Sequence, residues 1–318
     1  MARGARPAGV GADGRHAVST DGSDGYGFPV AEARILVGRA LDEDLGPVGG
    51  GRDVTTLATI PAGQVSVSHV VARADGVLAG MPVAALVVDA VAARLGTGAV
   101  AVEVHVPDGT RIRRGEHLAT LRGSTRTTLV AERTLLNVVS RTSGVATHTR
   151  RWADALEGTG ATVLDTRKTT PGMRTLEKYA VRCGGGTNKR MGLYDVAMIK
   201  DNHKLAAGGL TAAYEAVRGA YPDVDVQVEV TTTAEALESV AVGARFLLCD
   251  NMTPALLRET VEAVRATGEV VEVEATGGLT LEVVREYAET GVDYLSVGGL
   301  THSSPIVDIA LDLDPGSG

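Results

Sequence analysis

Apolar side chains recur at helical spacing from Ala31 to Asp44, with Ile35, Leu36, Ala40 and Leu41 followed by Leu45. Gly46-Pro47 stops this helix. A glycine-rich loop (VGGGR) then leads into DVTT and LATIP. Gln64 to Ala74 alternates like a strand, as do Ala99 to Val106 and Glu116 to Leu121. Pro82 to Leu95 reads as a helix with proline in its first turn. Thr128 to Ala155 has few breakers and reads as one or two helices. Strands of antiparallel type mixed with helices make the stretch from about residue 29 to 150 an α+β segment.

From Gly160 the pattern changes. Short β-rich runs recur at 162–169, 196–202, 226–232, 245–251, 270–278 and 292–299, most followed by a helical stretch. Thr253 to Ala266 opens with an N-cap threonine and a proline, and Leu281 to Thr290 is a second such helix. Six βα units in series predict a parallel sheet, whose chemistry gathers at the C-terminal strand ends. Those ends carry Asp165, Arg167 and Lys168; Lys200, Asp201 and Asn202; Glu229; Asp250 and Asn251; Glu274 and Thr276; and Ser296, Gly298 and Gly299. Polar groups converging from every strand onto one rim predict a closed barrel rather than an open sheet.

Composition narrows the function classes. With 318 residues, two domains are expected at roughly 100–200 residues per domain. We place a disordered tail at 1–27, an N-terminal domain at 28–140 and a barrel domain at 141–318. The tail has no apolar run of the signal-peptide kind. A net charge of -8 argues against a nucleic-acid or anionic-membrane coat, and 3% aromatics against a base-stacking platform. Val77 to Leu95 is broken by Pro82, Asp89 and Arg94, so it is no membrane span. Two cysteines cannot build a disulfide framework, so the chain reads as cytoplasmic.

Against this acidic background, residues 167–204 hold nine Lys or Arg and three acids. Arginine grips carboxylate or phosphate with a planar fork, and lysine adds a point charge, so the stretch suits a multiply anionic small molecule. Arg174, Lys178 and Arg182, four apart, fit a solvated helix face instead, whereas Arg167, Lys168 and Lys200 lie at strand ends. Two glycine turns, at 274–278 and 296–300, suit a phosphate held by backbone N–H groups. Glu229 and Asp250 are acceptors for ribose hydroxyls or for Mg²⁺ shared with a phosphate. No Cys/His spacing points to zinc, Gly184 to Gly186 forms no nucleotide-loop motif, and no Ser-His-Asp arrangement is readable.

These stretches together resemble the quinolinate phosphoribosyltransferases. The matching segments are ALDEDLG (40–46), DVTT (53–56), ERTLLN (132–137), SG (143–144), LDTRKTTPGMRTLEKYAVRCGGG (164–186), GLYD (192–195), IKDNH (199–203), CDN (249–251), EATGG (274–278) and SVGGLTHS (296–303). The resemblance runs from about residue 30 to 313. It implies an N-terminal α/β sandwich and an incomplete, six- or seven-stranded α/β barrel of the type II phosphoribosyltransferase kind. It also implies a homodimer or dimer-based hexamer whose sites are completed by the neighbouring subunit. The implied reaction, a step of de novo NAD biosynthesis, transfers phosphoribose from phosphoribosyl pyrophosphate to quinolinate with Mg²⁺. It yields nicotinate mononucleotide, pyrophosphate and CO₂. By resemblance, Arg133 reaches the quinolinate carboxylates from the partner, and Arg167, Lys189, Arg190 and Lys200 hold quinolinate and nearby phosphate oxygens. Lys168 meets the donor, Glu229 and Asp250 bind ribose or Mg²⁺, and Lys168, Glu229 and Asp250 form the catalytic set. Thr276, Gly277, Gly278, Gly298, Gly299 and His302 cradle the 5'-phosphate.

Three departures stand out. Lys189 occupies the place of a histidine usual in the family, Pro47 to Arg52 is an insertion, and Thr276 and Gly299 replace the more usual Ser and Ala. A lysine stays cationic where histidine can be neutral, which opens the alternative of another pyridine carboxylate as substrate. Two further readings are a barrel lyase with Lys200 as Schiff-base amine, and a non-catalytic nucleotide-binding paralogue.

Overall fold

The computed structural model describes residues 27–46 and 51–314. Most of the tail expected at 1–27, and most of the insertion Pro47 to Arg52, lie outside the described residues.

In chain order, α1 (Val30–Leu45) and α2 (Val54–Thr59) precede β1 (Val65–Ala72), β2 (Gly76–Val77) and α3 (Val83–Leu95). Then come β3 (Val100–Val104), β4 (Arg111–Ile112), β5 (His117–Ser124) and the helix α4 (Thr125–Ala155). The second half runs β6 (Thr162–Leu164), α5 (Arg174–Cys183), β7 (Val196–Ile199), α6 (Asp201–Ala207), α7 (Leu210–Ala220), β8 (Asp225–Val230) and α8 (Thr233–Ala241). It closes with β9 (Phe246–Asp250), α9 (Pro254–Ala266), β10 (Glu272–Thr276), α10 (Val284–Ala288), β11 (Tyr294–Ser296), α11 (Gly299–His302) and β12 (Ile309–Leu313). No helix among the described residues is long and apolar enough to cross a membrane.

The chain divides into two compact units. One holds Arg151–Lys168 and Gly186–Gly298; the other holds the described residues up to Arg150, Thr169–Gly185, and the stretch from Gly299 onward. The division placed at 140/141 by sequence falls inside α4, which is one continuous helix.

In the second of these units, a four-stranded sheet has the order β12-β1-β5-β3. Its pairs are antiparallel. Val70, Leu118 and Leu121 of the sheet pack with Val37 and Leu41 of α1, Val83, Val87 and Val91 of α3, and Leu135 and Val139 of α4. The short α2 arises where DVTT supplies its own cap: Asp53 accepts from the Thr55 and Thr56 N–H groups, each at 2.9 Å. The solvated face expected for Arg174, Lys178 and Arg182 is not what α5 presents. Lys178 is only 1% exposed and Glu177 is fully buried. Glu177 accepts from Arg141 at 2.8 Å and from Thr170 at 2.7 Å, which gives the buried acid its partners.

The first-named unit is built on a six-stranded parallel sheet of order β6-β11-β10-β9-β8-β7. The closed barrel read from the strand ends is corrected here: β6 and β7 are the two edges and do not pair with each other. The reason lies in the chain between them. Thr169–Gly185, with α5, belongs to the other unit, so no βα crossover delivers β7 beside β6. Thr187 instead makes a single parallel bridge to Leu164 on the β6 edge. The strands are shorter than the β-rich runs, because the polar residues after each run leave the ladder and form the rim.

Candidate active site

Asp165 follows β6 and is fully buried. Its carboxylate accepts from the Lys189 N–H at 2.8 Å and from Asn188 Nδ2 at 2.7 Å. The Thr187 N–H donates to the Val163 carbonyl at 2.9 Å, and the Asp165 N–H to the Thr187 carbonyl at 3.2 Å. Residues 187–189 are thereby fastened to the open edge, which fixes where Lys189 and Arg190 begin. Asp195 shapes the next loop by accepting from the Met191 N–H at 2.6 Å and the Val196 N–H at 2.8 Å. Arg190 donates to the Val196 carbonyl at 2.9 Å.

At the tip of β7, Lys200 pairs with Glu229 of β8. The Lys200 N–H donates to His203 Nδ1 at 2.9 Å, so the backbone turns directly into α6. Lys204, one turn on, donates to the Glu229 carbonyl at 3.1 Å and to Glu235 at 2.9 Å. Glu229 is thus held by its carboxylate from the N-cap residue of α6 and by its main chain from within that helix.

At the tips of β9 and β10, the Asn251 N–H donates to the Thr276 carbonyl at 2.9 Å, and Asn251 Nδ2 to Asp250 at 2.8 Å. Asn251 has φ 53°, the only non-glycine residue at positive φ among the described residues. Asparagine tolerates this region better than most side chains, yet such backbone concentrates at functional sites. Gly277, at φ 92°, lies so close that a Cβ there would sit 2.3 Å from Asn251 Oδ1.

The cations feel one another. Burial lowers the affinity of Arg190 for its proton, and repulsion from Arg167 adds to this. Burial likewise pushes Lys189 down, opposed by Glu274 and reinforced by repulsion from Lys200 and Arg190. Arg190 thus lies near Arg167, and Lys189 near Lys200 and Arg190; Glu274 is the counter-charge of Lys189 and Glu229 that of Lys200. Clustered cations of this kind mark anion sites. Lys168 is exposed in the same unit. Thr276, Gly278 and Gly298 are there too, whereas Arg133, Gly299 and His302 belong to the other unit. The Arg133 side chain is 65% exposed on α4.

Among the described residues, no group of three or more His, Cys, Asp or Glu could hold a metal ion alone. Glu229 and Asp250 fit an ion that takes most of its oxygens from a phosphate ligand, as Mg²⁺ does. The sequence put Asp165, Asn251 and Glu274 at the rim and Lys204 in the basic stretch, but gave none of them a specific partner. A signal existed for Asn251, since Asp-Asn directly after a strand favours a left-handed turn.

The sequence matches the description "Quinolinate phosphoribosyl transferase, N-terminal domain" over residues 53–143. It matches the corresponding C-terminal domain over 145–312. It is 46% identical to the nicotinate-nucleotide pyrophosphorylase [carboxylating] of Mycobacterium leprae, across 88% of this chain and 97% of that one. It is 38% identical to quinolinate phosphoribosyltransferase [decarboxylating] 1 of Nicotiana glauca, across 90% and 83%. The nicotinate-nucleotide pyrophosphorylase structure from Francisella tularensis superposes with a TM-score of 0.83 at 30% identity, covering 92% of this chain and all of that one. The enzyme of that name from Ehrlichia chaffeensis gives 0.78 at 31% identity, covering 88% and 98%. With both family domains matched in order and the parallel sheet and its basic rim in place, the chain belongs to the quinolinate phosphoribosyltransferase family.

Proposed function

We propose that this protein transfers phosphoribose from phosphoribosyl pyrophosphate to quinolinate and releases CO₂, forming nicotinate mononucleotide and pyrophosphate for NAD biosynthesis. The observation that carries this reading is the placement of Arg167 after β6 and of Lys200 at the tip of β7, on the C-terminal side of one parallel sheet, with Lys200 ion-paired to Glu229 of β8. Quinolinate is a dianion and its donor is more highly charged, so the two repel unless cations lie between them. Arg167 and Arg190 offer planar forks for the carboxylates, and Lys200 can turn from Glu229 to an arriving anion because its side chain is 47% exposed. Lys168 is exposed, and we assign it to the donor's phosphates.

Departure of pyrophosphate leaves positive charge on the anomeric carbon. Glu229 and Asp250 stand at adjacent strand tips as anions that favour that charge and accept from ribose hydroxyls. The same two carboxylates would hold Mg²⁺, which when bound neutralises the leaving pyrophosphate. The turns at Gly277, Gly278 and Gly298 offer backbone N–H groups to the 5'-phosphate, with Thr276, Gly299 and His302 beside them in sequence. Holding the reactants in line converts an encounter between like charges into a positioned displacement. Once the ring nitrogen is glycosylated it is positive and stabilises the electron pair left on C2 as the 2-carboxylate departs as CO₂; C2 then takes a proton from water, giving nicotinate mononucleotide.

We place the protein in the cytoplasm as at least a dimer, with Arg133 supplied by a second copy; its exposure on α4 leaves it available for that task. The Schiff-base alternative is disfavoured, since Lys200 is exposed and ion-paired rather than desolvated. The test is incubation with phosphoribosyl pyrophosphate, Mg²⁺ and a panel of pyridine acids. The expected result is CO₂ and mononucleotide in equal amounts from quinolinate alone. Faster turnover of another pyridine acid would move the assignment to that substrate.

A further inference from the structure

We infer that Lys189 and Glu274 form an internal ion pair that positions Arg190 for the acid substrate, and that Lys189 itself gives quinolinate no contact. The inference rests on the proposed reaction and deepens its account of acid recognition.

The Lys189 ammonium lies 2.6 Å from each Glu274 oxygen, a two-pronged contact. The two side chains are 7% and 0% exposed. Lysine at this position has a second contact: its ammonium lies over the ring of Phe246 of β9, 6.0 Å from the ring centre. Its backbone is fixed by the buried Asp165, as described above. Glu274 sits level with Leu248 of β9, and Leu248 level with Glu229 of β8, so both acids occupy one tier of the sheet. Each has its own lysine, and exposure separates the two pairs. Lys200 faces water and can exchange partners, whereas withdrawing Lys189 would leave Glu274 as a lone buried anion.

Arg190 follows Lys189 directly. A side chain anchored across the sheet at 189 therefore sets the direction from which the 190 guanidinium leaves the backbone. Glu274 acts through Lys189, and both are positioning residues. The change from the histidine usual in the family then keeps the function of the position. An imidazole N–H can donate to Glu274 just as an ammonium does.

The experiment is a double-mutant cycle on the full chain, reading kcat, KM for quinolinate, KM for phosphoribosyl pyrophosphate, and Tm. Lys189→Met and Glu274→Gln each raise KM for quinolinate by about tenfold, with KM for the donor changed by about twofold at most. The double variant returns KM for quinolinate to within about threefold of the parent, because neither group is left unpaired. Lys189→His also stays within about threefold, since its N–H keeps the contact. The inference is overturned if the double variant regains its Tm but stays as impaired as Lys189→Met, which would place Lys189 on the substrate. It is also overturned if all variants share one KM. Should a single variant fail to fold, the double variant and Lys189→His still decide the question. If the parent chain does not turn over quinolinate, the proposed reaction fails separately, and the same cycle read by calorimetric binding of quinolinate decides the pair.

Discussion

At Gly277 the requirement for glycine is double: φ is 92°, and a Cβ would press on Asn251 Oδ1 at 2.3 Å. Gly277→Ala is expected to push Asn251 away from Asp250 and open the turn between the β9 and β10 tips. The expected outcome is a rise of about tenfold in KM for phosphoribosyl pyrophosphate, with stability lowered by about 1–3 kcal/mol, measured by steady-state kinetics and denaturant unfolding. At this scale the sequence was informative where a residue acts from its own strand tip. Arg167, Lys200, Glu229 and Asp250 could be placed on the rim because each lies in the later, polar part of a short β-rich run. What it concealed were contacts between residues distant along the chain. Lys189 could be recognised as unusual, but nothing local ties it to Glu274, eighty-five positions later.

The element that most controls the rim is the short α6, through Lys204. Burial pushes the Lys204 ammonium down, but hydrogen bonds to Asp201 and Glu235 outweigh this and hold its pKa above the ordinary 10.5. For Glu235, burial raises the pKa, and contacts from the Thr231 N–H and Lys204 outweigh it, holding the acid below 4.5. A raised lysine stabilises the fold below about pH 10.5 and loses that contribution above it; a lowered glutamate stabilises above about pH 4.5 and loses it as pH falls. Lys204→Met is therefore expected to lower stability by about 1 kcal/mol near neutrality, a modest figure because Glu235 and Asp201 face water. The difference in Tm from the parent shrinks below pH 4.5 and above pH 10.5, which calorimetry across pH would show. Long, strongly patterned elements such as α4 and α9 were legible from sequence. Others were hidden by their chemistry. The helix α2 depends on the Asp53 cap rather than on an apolar stripe, and α5 buries Glu177 and Lys178, so its charges read as solvent-facing.

Across the whole chain, the fold class was legible because six β-rich runs alternate with helices. The open edge was not, since it results from Thr169–Gly185 joining the other unit, a choice no local pattern records. The proposal that Arg133 serves a neighbouring copy leads to a mixing experiment. Arg133→Ala and Arg167→Ala are each expected to be nearly inactive alone. Mixed after subunit exchange, they should regain about a quarter of parent activity, because half the dimers are hybrid and each hybrid has one intact site. No regain would mean that each subunit uses its own Arg133. The central claim, that strand-tip cations seat a dicarboxylate, is tested most directly by titrating quinolinate into the parent chain and into Arg167→Ala by calorimetry. The account predicts one saturable site per chain in the parent, weakened by about a hundredfold in the variant as a two-pronged ionic contact is lost. Equal binding by the two proteins would contradict it.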